Sequence, residues 1–220
     1  MTATLTSEME TVETLADLVD RLGGIPLQRI RLHPAPGTAR EDDLWREYHS
    51  PRKRLCELVD GVLVEKAMGW EESSLAGILI GLLNAFVVPR NLGVVTGEAG
   101  FYRLFPNMVR GPDVAFTSWE RMPGRRRPHD KALPLAPNLA IEVLSEGNTP
   151  AEMERKRREY FSAGVTVVWI VNPVARTVRV YSDPEHYQEF GEDDTLDGGP
   201  VLPGFSLSLR DWFAELDRQG

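Results

Sequence analysis

The sequence predicts an α/β domain built on a mixed sheet. Two apolar stretches without alternation, Leu139–Leu144 and Thr166–Val171, read as strands buried on both faces. The segment between them, closing at about Ala163 and Gly164, reads as a crossover helix, and a strongly apolar helix, Glu71–Val88, precedes the strands. One carboxylate, Glu142, interrupts the first stretch. A charge there is costly to bury unless it is paired or binds a metal. Glu142 is therefore either a salt-bridged core glutamate or part of a functional site.

The 220 residues are enough for one larger domain or a domain with an extension, and for a sizeable core. The formal net charge of -8 gives nucleic acid no global attraction, so any such contact needs a local basic patch or metal ions. A single cysteine, Cys56, excludes an intrachain disulfide and points to a reducing compartment, hence a cytoplasmic location. Met1–Met9 has no signal-peptide pattern. The longest apolar stretch, Leu75–Val88, is too short for a membrane span and is broken by Gly77, Gly81 and Asn84.

In chain order, residues 1–8 read as disordered. Thr11–Leu22 reads as an amphipathic helix, with Val12, Leu15, Leu18, Val19 and Leu22 near one face and Gly23-Gly24 ending it. Arg40–His49 reads as a second helix with three acids in its first turn. Residues 1–50 thus form a helical extension packed on a main domain of residues 51–220. Leu55–Lys66 is a hairpin turning at Asp60-Gly61. In Glu71–Val88 the buried face is Leu75, Ile78, Leu79, Leu82, Leu83 and Phe86, widened by Ile80 and Val87. Gly93–Leu104 and Val109–Thr117 are two strands, the second carrying Pro112, which marks a bulge, a strand start or an edge. Trp119–Pro137 is a long loop with Arg121, Arg125, Arg126, Arg127, His129 and Lys131, either solvated or a phosphate-contacting flap. After Ser145–Pro150 comes the crossover helix, capped by Asn148 or Thr149 with Pro150 at its first position. Thr177–Tyr181 is an alternating strand and Asp183–Pro200 an acidic connection. Leu202–Trp212 ends the fold with a short strand, and Asp211–Leu216 with a helical turn.

The crossover helix carries a second anomaly. Lys156 falls on its apolar stripe, three residues after Met153 and four before Tyr160, and Glu152, Lys156 and Tyr160 stack on one face. Lys156 either pairs with Glu142 or snorkels to water. Asp113 is a third candidate, 29 positions before Glu142 and on a strand that can neighbour it. Two carboxylates with a lysine suit metal-dependent phosphodiester cleavage. The carboxylates, with the Val143 backbone carbonyl, offer hard oxygens to Mg²⁺ or Mn²⁺, and the ammonium can orient water or neutralise the phosphate. Other chemistries lack their motifs. There is no Gly-x-Ser-x-Gly elbow, no Walker or dinucleotide glycine pattern, and His33, His49, His129 and His186 show no zinc spacing.

Asp113 in Pro-Asp followed by Glu142-Val143-Leu144 resembles the PD-(D/E)XK nuclease motif, with Leu144 where the strict motif has lysine. A longer ordered series closely resembles the Uma2 (DUF820) family of restriction-endonuclease-like proteins over residues 51–213. It comprises Glu57-Leu-Val-Asp-Gly61, Gly111-Pro-Asp113-Val, Glu142-Val-Leu-Ser145, Lys156-x-x-x-Tyr160, Gly164-Val165 and Trp169-Ile-Val-Asn-Pro173. The resemblance implies an αβββαβ core, a metal-dependent endonuclease acting on DNA, and a site of Asp113, Glu142 and Lys156, the lysine having moved to the helix. It also implies a homodimer, with the N-terminal arm or Tyr187–Pro203 as candidate interfaces. Further site positions are Glu57, Glu71, Glu98, Glu152 and Tyr160. A histidine common in relatives near the start of the first core helix is absent, the run here being Glu72-Ser73-Ser74-Leu75. The competing reading is a non-catalytic interaction or scaffold protein that keeps the nuclease fold. Convergence of Asp113, Glu142 and Lys156 would separate the two.

Overall fold

A computed structural model describes residues 12–67 and 69–219; the expectation for residues 1–8 lies outside them. Helix α1 (Leu15–Arg21) starts later than the apolar pattern suggests because Thr14 and Asp17 form a capping box. Leu18 and Leu22 are buried, whereas Val12 and Leu15 are exposed. Helix α2 (Glu41–Tyr48) buries Leu44 and Trp45 against the hairpin of β1 (Cys56–Val59) and β2 (Val62–Glu65). Asp60 and Gly61 both adopt positive φ, as a two-residue hairpin turn requires.

Helix α3 (Trp70–Val87) is the expected core helix. Its fully buried stripe is Leu75, Leu79, Leu83 and Val87, which recur every four residues; Leu82 lies off that stripe and is exposed. The two long strands expected next are four: β3 (Gly93–Gly97), β4 (Phe101–Phe105), β5 (Met108–Arg110) and β6 (Val114–Ser118). The breaks fall at Glu98–Gly100 and Gly111–Asp113. Pro112 has no ladder donor, and a side chain on Gly111 would sit 2.5 Å from the Glu98 carbonyl oxygen. The breaks pass the chain from one sheet to another.

The loop 119–137 includes the two-residue strand β7 (Ala132–Leu133), parallel to β4. Strand β8 (Leu139–Val143), helix α4 (Pro150–Ser162), strand β9 (Val167–Asn172) and strand β10 (Thr177–Tyr181) follow as the sequence indicates. The expected connection 183–200 holds two further strands, β11 (Tyr187–Phe190) and β12 (Thr195–Gly198). Strand β13 (Leu202–Ser208) and helix α5 (Leu209–Ala214) end the fold.

One mixed sheet has the order β11-β10-β9-β8-β6-β3, with β8 and β9 parallel and its other pairs antiparallel. A second has the order β2-β1-β5-β4-β7. The alternation of β8 assigns its two faces. Leu139, Ile141 and Val143 share a core with α3, β13 and α5, whereas Ala140 packs with Met153 and Tyr160 of α4. Glu142 therefore projects toward α4.

Candidate active site

Asp113 immediately precedes β6, and Val114 pairs with Ile141 on β8. Continuing that antiparallel register by one residue sets Asp113 opposite Glu142. Asp113 Oδ2 accepts the Val143 N–H at 2.8 Å, which ties the break before β6 to the end of β8. The side chain lines a cavity of about 450 Å³ with Glu72, Glu98, Gly100 and Val143. Its Oδ1 accepts a hydrogen bond from Lys66 Nζ at 2.8 Å, and the same ammonium donates to the Gly111 carbonyl. Glu98 is half-buried, and burial raises its pKa, with Asp113 adding to the rise and Lys66 opposing it.

Glu142 is 3% exposed. Its Oε2 lies 3.2 Å from Lys156 Nζ, and its Oε1 accepts the Tyr160 hydroxyl at 2.5 Å. Lys156 is thus neither solvent-facing nor snorkelling. It sits between Glu142 and Glu57, whose Oε2 is 3.3 Å away. Glu57 is fully buried, receives Arg110 Nη1 at 2.7 Å and accepts the Gly111 N–H at 3.0 Å. Arg110 continues to Glu159 at 2.5 Å, and Glu159 to Arg155 at 2.6 Å.

The charges tune one another. Burial pushes the Glu142 carboxyl up, and Asp113 adds to this, while Lys156 and Lys66 oppose it. Burial acts the same way on Glu57, but Lys156, Arg110 and Lys66 outweigh it and hold that carboxyl below the usual range. Burial lowers Lys156, yet Glu142 and Glu57 raise it above an ordinary lysine. Lys156 is therefore a fixed positive charge rather than a base at neutral pH.

The structure brings together Asp113, Glu142, Lys156, Tyr160, Glu57 and the Val143 backbone. Glu98 joins them at the cavity. At the first turn of α3 it is Glu72 that lines the cavity, while Glu71 is exposed. Glu152 is engaged elsewhere: Arg29 grips it through bonds of 2.8 and 2.6 Å, and Asn148 donates to it. In the basic loop, Arg125, Arg126, Arg127, His129 and Lys131 are exposed. Arg121 turns inward to the Ala136, Pro137 and Gly164 carbonyls. Lys66 and Arg110 escaped the sequence reading. For Arg110 the signal was position, since it ends β5; Lys66 lies one residue past β2 and carries no such signal.

The donor set suits a hard divalent cation. Asp113 and Glu142 are carboxylates, the Val143 carbonyl is adjacent, and each carboxylate oxygen retains a lone pair beyond its present bond. Among the described residues, no three His, Cys, Asp or Glu side chains form a metal cage. Such an ion would rest on two carboxylates and backbone, and Lys66 stands at Asp113 Oδ1.

Residues 43–210 match the Uma2 family, described as "Putative restriction endonuclease". The crystal structure of "a putative nuclease belonging to DUF820" from Anabaena variabilis ATCC 29413 superimposes with a TM-score of 0.65 at 22% identity, covering 73% of this chain and 90% of that one. That likeness shows the restriction-endonuclease-like fold. No curated protein matches the chain. No helix among the described residues is long and apolar enough to cross a membrane. With its mixed α/β fold and the family match spanning most of its length, the chain belongs to the Uma2 family.

Proposed function

We propose that this protein is an endonuclease that hydrolyses phosphodiester bonds in DNA with Mg²⁺ or Mn²⁺. The observation that carries this reading is the placement of Asp113, ending in a 450 Å³ cavity and tied by hydrogen bond to the backbone beside Glu142. Asp113, Glu142 and the Val143 carbonyl would hold the ion, which would supply Lewis-acid polarisation of the phosphate and a more acidic attacking water. Glu98 and Glu72 extend the acidic lining of the cavity. Lys156 and Tyr160 act through Glu142: both engage its oxygens, so they are positioning residues; Glu142, like them, lies behind the cavity lining, which Asp113 and Val143 reach. Arg125, Arg126, Arg127 and Lys131 supply the local positive charge that a chain of net charge -8 needs near DNA. A homodimer would let each copy cut one strand of a duplex, with the exposed edge strand β11 or the N-terminal arm as its interface.

The scaffold reading draws on one observation. Both oxygens of Asp113 and both of Glu142 already have protein donors. Incubating metal-stripped protein with supercoiled plasmid, single-stranded DNA and RNA, with and without Mg²⁺ or Mn²⁺, separates the two. Metal-dependent cleavage supports the nuclease and ranks its substrates; intact substrates throughout favour the scaffold.

A further inference from the structure

Lys66 is not part of the motif series that points to the site, yet its ammonium touches Asp113 directly. Its side chain is 3% exposed. The ammonium is held by a carboxylate oxygen of Asp113 and the carbonyl oxygen of Gly111, which are the ligand kinds a hard metal ion takes. The buried part of the cluster is balanced as it stands: the carboxylates of Glu57, Asp113 and Glu142 face the cations Lys66, Arg110 and Lys156, with Glu98 and Glu72 half-buried at the cavity beside them. A divalent ion added to this balanced, buried set would introduce uncompensated charge in a low-dielectric place.

Lys66 is the member placed to leave. Arg110 is clamped between Glu57 and Glu159, and Lys156 between Glu57 and Glu142. Lys66 also lines a second cavity, of about 570 Å³, with Glu65, Glu72 and Glu146 and with Arg29, whose charge is already held by Glu152. Glu72 belongs to both cavities, so the two are neighbours, and the four-carbon stem of a lysine can swing between them.

We infer that Lys66 is a built-in counter-ion at Asp113, and that a divalent metal ion binds by displacing it into the acidic cavity beside Glu72 and Glu146. This rests on the metal-dependent reading above. It makes Lys66 the residue that sets how much metal the site needs.

Mn²⁺ titration followed by electron paramagnetic resonance tests this on the full-length chain. Lys66→Met and Lys66→Gln should bind one Mn²⁺ at least roughly tenfold more tightly than the unaltered protein, because the competing charge is gone. Asp113→Asn should lose that ion. Equal or weaker binding in both Lys66 variants, or no binding in any form, overturns the inference. A second readout needs no variant. Acetic anhydride labelling with mass spectrometry should find Lys66 protected without metal and modified at saturating Mn²⁺; unchanged labelling overturns displacement. Tighter Mn²⁺ binding without any DNA cleavage would uphold the counter-ion and count against the nuclease. Cleavage with unaltered affinities would do the reverse.

Discussion

Lys156 Nζ bridges α4 to the sheet, 3.2 Å from Glu142 Oε2, with both side chains 3% exposed. Removing one partner leaves the other as an uncompensated buried charge. Lys156→Ala leaves Glu142 without its cation, whereas Glu57 keeps Arg110, so it should destabilise the protein by roughly 3–5 kcal/mol. Urea unfolding monitored by tryptophan fluorescence measures it. The Glu142→Gln protein should lose less, because an amide can still accept from Tyr160.

Acid should loosen the same cluster through Glu57. Its folded pKa lies below the ordinary glutamate value. Its contribution is therefore fully present above that ordinary value, about 4.3. It is lost progressively as pH falls below that value toward the depressed folded one. Melting temperatures should hold above about pH 5 and drop as pH falls below about 4 for the unaltered protein. The drop should be shallower for Glu57→Gln, which has no proton to take up at that position. Parallel curves would remove Glu57 from the account.

Arg29 staples the N-terminal segment to α4 through Glu152, with further bonds to the Glu65 and Gly147 carbonyls at 2.7 and 2.8 Å. Arg29→Ala should cost roughly 3–5 kcal/mol, since Glu152 is left buried and unpaired. It should also open residues 12–50 to limited proteolysis before the rest of the chain is cut.

The exposed loop charges can be counted by salt. If Arg125, Arg126 and Arg127 each meet a phosphate, replacing all three by Ser should flatten the slope of log affinity against log salt by roughly 0.9 per contact on duplex DNA. Fluorescence anisotropy gives that slope. Arg121→Ala should leave it unchanged and lower the melting temperature, because Arg121 bonds the loop to the chain at Gly164.

Much of the framework is legible where local chemistry decides the outcome. Asp60-Gly61 dictates its hairpin, and Glu142 stands out because it is charged within a run buried on both sides. Lys156 stands out by helical spacing alone. Other features depend on partners far along the chain. Lys66 and Asp113 are 47 residues apart, and nothing around Lys66 indicates that its strand end reaches the site. The Gly111-Pro112 break looks like a bulge until both flanking strands are seen in different sheets. Strand β11 escaped because Tyr187-Gln188-Glu189-Phe190 is an exposed edge with no buried face to pattern it.

The most direct test of the central claim compares cleavage of supercoiled plasmid and single-stranded DNA in Mg²⁺ or Mn²⁺ by the unaltered protein and by Asp113→Asn purified identically. Metal-dependent cleavage is expected from the first and its loss from the second, with both proteins folded. Equal cleavage by the two would place the activity elsewhere and contradict a site centred on Asp113.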